Sequence, residues 1–396
     1  MKVKAIALVV YGLTENWLGG VNYYRNLLSV FDGAGETGIR LHVFTNDAGF
    51  FADMSLSPRV VVHSVPMLQH RTPAWFLRKI VAQATGRDPM LVRLLRRTGV
   101  QAIAFSQVPG ASAAGIPCLP WIPDFQSQRH PEYFPPWVVN VERRRAQDWL
   151  SGGGGLIVSS LAARDDAVAL FGADPAQLHV MRFAPCLDGD AISQPGLRDE
   201  VLARHGITRP YFFLPNQYWQ HKNHSVVVAA LQRLRDDGHE VPLVISTGKT
   251  LDPRKPAYFN EFEDQVRAAG LMDVYRILGV IDRRDMLVLL AHAVAVINPS
   301  RFEGWSSSVE EAKAFGKPLI VSDIPVHREQ VAGRAAADWF GLDDADALAA
   351  LLRRYAAYAG TVRDHAPKPE PALYRNFQAQ FIALLNSLEQ RTTAAA

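Results

Sequence analysis

Two carboxylates and one amine form the most specific chemical pattern in this sequence. Glu303 and Glu311 stand eight positions apart in NPSRFEGWSSSVEEAKAFGKP, the first in a loop behind the apolar run AVAVI, the second about a turn inside the helix expected to follow. A carboxylate offers two acceptor oxygens, which suits it to the vicinal hydroxyls of a sugar or ribose. Gly304 lets a ligand come close to the backbone. The N–H groups from Trp305 through Ser306 and Ser307 would carry the positive end of the helix dipole, a place for a diphosphate. Lys222 sits at a second strand–loop–helix passage, YFFLPNQYWQHKNHSVVVAAL, where a cation can neutralise a departing diphosphate. Each residue also has a plainer reading. Ser307-x-x-Glu310 and Ser308-x-x-Glu311 have capping-box spacing, and Lys222 fits a solvated first turn. His221 and His224 resemble a metal pair, but no third ligand of matching spacing follows, so no metal is expected.

These residues need rigid elements to hold them. Short apolar, β-branched runs alternate with amphipathic stretches at 5–10, 40–45, 60–65, 102–105 and 156–159, then at 211–214, 241–246, 275–280, 293–297 and 318–322. That rhythm predicts α/β architecture with two Rossmann-like, doubly wound parallel sheets, whose facing carboxyl ends would make a cleft. The Pro-, Gly- and acid-containing stretch 186–210 reads as the linker, giving domains over 1–195 and 196–372. A closing helical stretch at 373–396 is expected to pack back on the first domain.

Composition narrows the function classes. With 396 residues and 48% hydrophobic content the chain can bury separate cores, which excludes full-length disorder. Lys and Arg number 42 against 39 Asp and Glu, so nucleic acid is not expected as a main partner. Two cysteines, Cys118 and Cys186, cannot make a disulfide framework, which fits a reducing, cytoplasmic setting; a single bridge stays open. MKVKAIALVV reads as a first strand rather than a secretory leader, and no apolar run reaches the ~18 residues of a membrane span.

Three further patterns carry less. Gly19 and Gly20 follow the first strand, yet no G-x-G-x-x-G accompanies them, which disfavours a nicotinamide oxidoreductase. Asp188-Gly189-Asp190 has the D-x-D form of a metal site, but falls in the expected linker and reads as a solvated turn. The window 66–97 holds seven basic residues and one acidic residue, Asp88, with Trp75, Phe76 and Leu77 interleaved. It reads as a solvated basic helix face or as a weak contact with anionic membrane.

PSRFEGW, VEEAKAFGKP and SDIPVHRE in register, with LPNQYWQHKNH, RILGVIDRRDMLVLLAHAVAVINPS and WIPDFQSQRHPEYFPP, resemble glycosyltransferase family 4, the retaining enzymes of GT-B fold, in their bacterial group 1 form. The likeness implies metal-independent transfer of a hexose from a nucleotide-diphosphate sugar to a glycan or lipid-linked oligosaccharide, as in bacterial surface polysaccharide synthesis, at the inner face of the cell membrane. It needs no resident cofactor. By the same resemblance, Glu303 orients the donor sugar, Glu311 holds the ribose, and Lys222 and the amides after Gly304 take the diphosphate. Asp124, a catalytic candidate that would accept a hydrogen bond from the incoming hydroxyl, and His130 would face the acceptor, with Gly19 and Gly20 approaching acceptor and donor from the first domain. Many relatives carry arginine where this chain has Gln217, so Arg301 or another cation would have to substitute. A non-catalytic nucleotide-sugar binder and a sugar-nucleotide epimerase of the same fold stay open as alternatives.

Overall fold

The computed structural model describes residues 5–10, 18–32, 38–151, 155–185, 187, 192–357 and 371–394. Cys186, the Asp188-Gly189-Asp190 pattern and the loop ahead of Gly19 lie outside these residues, as does most of the glycine run at 151–155. The chain divides into two compact units, Met1–Phe125 with Asn140–Cys186 and Ala372–Ala396, and Gln126–Val139 with Leu187–Pro371.

In the first unit, β1 (Ala5–Val10), β2 (Arg40–Thr45), β3 (Val60–Ser64), β4 (Ala102–Phe105) and β5 (Cys118–Pro120) form a parallel sheet in the order β3-β2-β1-β4-β5. β1 and β4 are apolar throughout and almost wholly buried, as strands covered on both faces must be. A small parallel pair, β6 (Leu156–Val158) and β7 (Leu178–Val180), joins through a bridge between Trp121 and Ile157. The helix Pro371–Ala394 completes this unit. Its Phe377 and Phe381 are fully buried, Phe381 packing 6.0 Å from Phe31, and Tyr374 and Gln378 donate to the carbonyls of Ser29 and Val30.

The second unit holds β8 (Tyr211–Leu214), β9 (Leu243–Ser246), β10 (Tyr275–Ile277), β11 (Val296–Asn298), β12 (Leu319–Ser322) and β13 (Ala337–Phe340), parallel and ordered β10-β9-β8-β11-β12-β13. Successive residues of β8 serve opposite layers. Phe212 and Leu214 pack with the helices His224–Asp236, Tyr258–Ala268 and Ala345–Ala357, while Tyr211 and Phe213 pack with Leu197–Arg204, Arg283–His292 and Ser307–Ala314. The chain leaves β8 toward β9 on one side and returns to β11 on the other. The strand order therefore reverses between β8 and β11, where open α/β sheets present ligand sites beyond their carboxyl ends. Lys222 follows β8, and Glu303 follows β11.

Candidate functional site

Both loops begin at a buried asparagine. Asn298 ends β11, and its side-chain oxygen accepts from Asn216 Nδ2 at 3.1 Å, while its Nδ2 donates to Ser306 Oγ at 2.7 Å and Ser308 Oγ at 3.3 Å. One amide thus ties the loop after β8 to the start of the helix Ser307–Ala314. Ser300 Oγ lies 2.7 Å from both Asn298 Oδ1 and Glu303 Oε1, so its single proton is shared between two acceptors. These bonds satisfy polar groups that would otherwise be buried at a cost of ~1–3 kcal/mol each.

Lys222 Nζ donates to Glu303 Oε1 at 2.7 Å, and the two side chains are only 15% and 9% exposed. Burial by itself raises the Glu303 carboxyl, but the Lys222 charge and the bonds from Lys222 and Ser300 outweigh it and hold the group below its ordinary value. Lys222 does not stand in the first turn of the long helix. It closes the short 3-10 turn Gln220–Lys222, and Asn223 then takes a left-handed backbone, φ 54°, before the helix His224–Asp236 begins. Asparagine tolerates that conformation, and its Nδ2 is fixed by the carbonyl of Leu342 at 2.8 Å.

Glu311 pairs with Arg283 at 2.6 Å, its side chain 7% exposed. The capping-box readings of the serines are not realised: Ser306 is the N-cap, makes no side-chain cap bond, and has Val309 rather than a glutamate three residues on. Gln330 secures this entrance, accepting from Ser306 N at 3.3 Å and donating to its carbonyl at 3.0 Å. Glu310 is committed elsewhere, to Lys313 at 2.7 Å and Gln330 at 3.0 Å. Gly304 and Trp305 are half-buried and Ser307 is exposed, with the Lys313 ammonium 5.8 Å from the Trp305 ring centre.

Arg301 is bound to Asp343, which raises its pKa, and its main-chain N–H donates to the carbonyl of His221 at 2.8 Å. The carbonyl of Gln217 is paired with His224 Nε2 at 3.2 Å. Gly248 packs against the same backbone: a Cβ there would lie 2.8 Å from Asn216 O and Gln217 Cα, and its φ of +129° belongs to glycine. The segment Gln126–Val139 lies within this unit, where His130 meets Phe302 edge-on at 5.5 Å and pairs with Glu132 at 3.0 Å. Asp124, partly exposed, belongs to the first unit, as do Gly19 and the buried Gly20 in the helix Leu18–Asp32.

Sequence reasoning passed over several residues. Asn216, Asn298 and Ser300 are fully or nearly buried beneath the ion pair, and the only hint was polar residues directly behind two apolar strands. His327 is fully buried, its Nδ1 facing the Ser322 carbonyl at 2.9 Å, and its Nε2 has no hydrogen-bond partner among the described residues. Burial lowers its pKa to about 4, against the pull of Glu303. His224 Nδ1 is 2.9 Å from the Tyr275 hydroxyl, and no cluster of three or more His, Cys, Asp or Glu suited to a metal occurs among the described residues.

Residues 198–358 match the family model described as glycosyl transferases group 1. Among curated proteins, the D-inositol 3-phosphate glycosyltransferase of Xylanimonas cellulosilytica is 26% identical over 176 residues, 43% of this chain and 40% of that protein. The O-antigen chain mannosyltransferase RfbU of Salmonella typhimurium is 31% identical over 120 residues, 30% of this chain and 31% of that protein. The chain thus spans less than half the length of these curated relatives. A glycosyltransferase from Rickettsia africae superposes with a TM-score of 0.66 at 15% identity, covering 99% of this chain and 97% of that one. Anabaena Alr3699/HepE in complex with UDP-glucose gives 0.63 at 16% identity, covering 98% of each. At such identities the likeness is one of fold, and it assigns the two parallel-sheet units to the GT-B class. Residues 198–358 are thus similar to the glycosyl transferases group 1 model, in a chain of GT-B fold.

Proposed function

We propose that this chain is a retaining, metal-independent glycosyltransferase that moves a hexose from a nucleotide-diphosphate sugar to a hydroxyl of a glycan or lipid-linked acceptor. The observation that carries the reading is the buried 2.7 Å pair of Lys222 and Glu303 at the strand-order reversal. A donor diphosphate competes for Lys222 and frees Glu303 to grip the sugar, so each charge meets the ligand already oriented. The half-exposed Arg283 holds one oxygen of Glu311, leaving the other for ribose hydroxyls. With Gln217 neutral and Arg301 tied to Asp343, the charge of the diphosphate falls on Lys222 and the N–H groups opening the helix Ser307–Ala314. Substitution then proceeds on one face through an oxocarbenium-like state. UDP-glucose bound by the Anabaena protein supports a nucleotide-sugar donor, and the O-antigen mannosyltransferase supports a surface-glycan acceptor.

The test is turnover of a panel of UDP- and GDP-sugars with glycan acceptors. Lys222→Ala and Glu303→Gln are expected to lower kcat ~10²–10³-fold with the fold intact, and Glu311→Gln to raise the donor KM. Near-normal kcat in both of the first two variants defeats the proposal. The missing arginine at 217 favours one other reading, a non-catalytic nucleotide-sugar binder, for which donor binds but neither transfer nor hydrolysis occurs.

A further inference from the structure

The helix Pro73–Thr85 is built inside out. Its most buried residue is Arg78, 4% exposed, while Phe76, Leu77 and Ile80 are 51%, 55% and 64% exposed. Positions 76, 77 and 80 share one helical face, so the three side chains form a single apolar ridge. The ridge is rigidly framed: Thr72 Oγ accepts from Trp75 N at 3.2 Å, Pro73 opens the helix, and Gly86 ends it at φ 66°. The next helix, Pro89–Arg97, borders an open depression of ≈ 500 Å³ lined by Pro89, Val92, Arg93, Arg96 and Arg97. Arg96 is braced by the Ala114 carbonyl at 2.6 Å, and neither helix contains an acidic residue. Asp88, the one acid of the window, is buried against Arg78 and the N–H of Leu91. Exposed charge here is therefore all positive, from Arg71, Lys79, Arg87, Arg93, Arg96 and Arg97.

We propose that these two helices are a docking surface for an anionic lipid bilayer. Phe76, Leu77 and Ile80 enter the boundary between headgroups and acyl chains, and the arginine-lined depression takes lipid phosphate, which the planar guanidinium fork fits in two-point fashion. Charge selects this occupant. A second copy docking the same face on itself would set cation against cation, whereas an anionic leaflet complements them. No helix among the described residues is long and apolar enough to cross a membrane, and the contact proposed is with the bilayer surface. This inference stands independently of the donor-site reading.

Flotation of the full chain with phosphatidylcholine vesicles, and with vesicles holding 30% phosphatidylglycerol, tests it. Retention on the anionic vesicles is expected to be at least ~10-fold stronger and to weaken with salt. The triple variants F76S/L77S/I80S and R93E/R96E/R97E should each lower it ~10-fold or more with unchanged circular dichroism and melting temperature. Equal retention on both vesicles, retention on neither, or wild-type retention by both variants overturns the proposal. So does concentration-dependent self-association that F76S/L77S/I80S abolishes, which assigns the ridge to a second copy. Stabilisation by inorganic phosphate without vesicle binding assigns the depression to a soluble anion and overturns it equally.

Discussion

Three histidines crowd the Lys222–Glu303 pair, and all are buried: His221 is 4% exposed, His224 and His327 not at all. Burial pulls His224 down to about 3 and His327 to about 4, and holds His221 well below its usual range with the neighbouring Lys222 charge adding to the effect. A folded pKa below the unfolded value of ~6.5 means that the unfolded chain takes up more protons, so the stability is present above pH ~6.5 and lost as pH falls. Each histidine contributes a slope of up to ~1.4 kcal/mol per pH unit through that window. Urea midpoints of the second unit should therefore drop between pH 7 and pH 5, and His327→Gln should flatten the slope by about one proton. An unaltered slope in that variant removes His327 from the account. Glu303 acts in the same direction lower down, its contribution lost as pH falls below ~4.5. At this scale Glu303, Glu311 and Lys222 were legible as candidates, because their charges fall at strand–loop–helix passages of the sequence. Asn298, Ser300 and His327 stayed hidden, because a polar residue behind a strand is ordinary until its partners are known.

Elements with unbroken apolar runs were legible for a physical reason: strands such as FFL in β8 and LIV in β12 are buried on both faces of a parallel sheet, leaving no polar positions to blur the pattern. β5, β7 and β13 escaped notice. CLP and LHV span three residues each, and β13, ADWF, mixes buried with exposed positions at the sheet edge. The expected strand at 241–246 starts at Leu243, since Pro242 has no N–H to give the ladder. The place of Gln126–Val139 in the second unit was unreadable, because it rests on long-range contacts such as Tyr133 with His221, 6.2 Å apart. The helix Pro371–Ala394 was foreseen from its periodicity, and its role can be measured. Phe381 packs on Phe31 and on Phe105, 6.2 Å away, so Phe381→Ala should cost ~3–5 kcal/mol in chemical denaturation of the first unit. A loss below ~1 kcal/mol would mean that the helix adds little to that core.

Across the whole chain, each unit has its own core. Leu91, Leu95 and Ile103 belong to one cluster of the first unit, and two clusters flank the second unit's sheet. The residues that carry the proposed nucleotide site, Lys222, Glu303, Glu311 and the helix opening at Ser307, all lie in the second. A ligand that binds only the folded form stabilises what it touches by RT ln(1 + [L]/Kd), ~2.7 kcal/mol at a hundredfold excess over Kd. For a body of roughly 150–250 residues that corresponds to about 5–11 °C. Calorimetry of the full chain is thus expected to resolve two transitions, only one of which rises when UDP or GDP is added, and Lys222→Ala should abolish most of that rise. The Phe381→Ala variant supplies the assignment, since it should lower the other transition and leave the nucleotide-sensitive one in place. Should UDP and GDP both leave every transition unmoved, the nucleotide site has no support at this scale. A single transition raised by nucleotide and lowered by Phe381→Ala would instead show the two cores melting as one body.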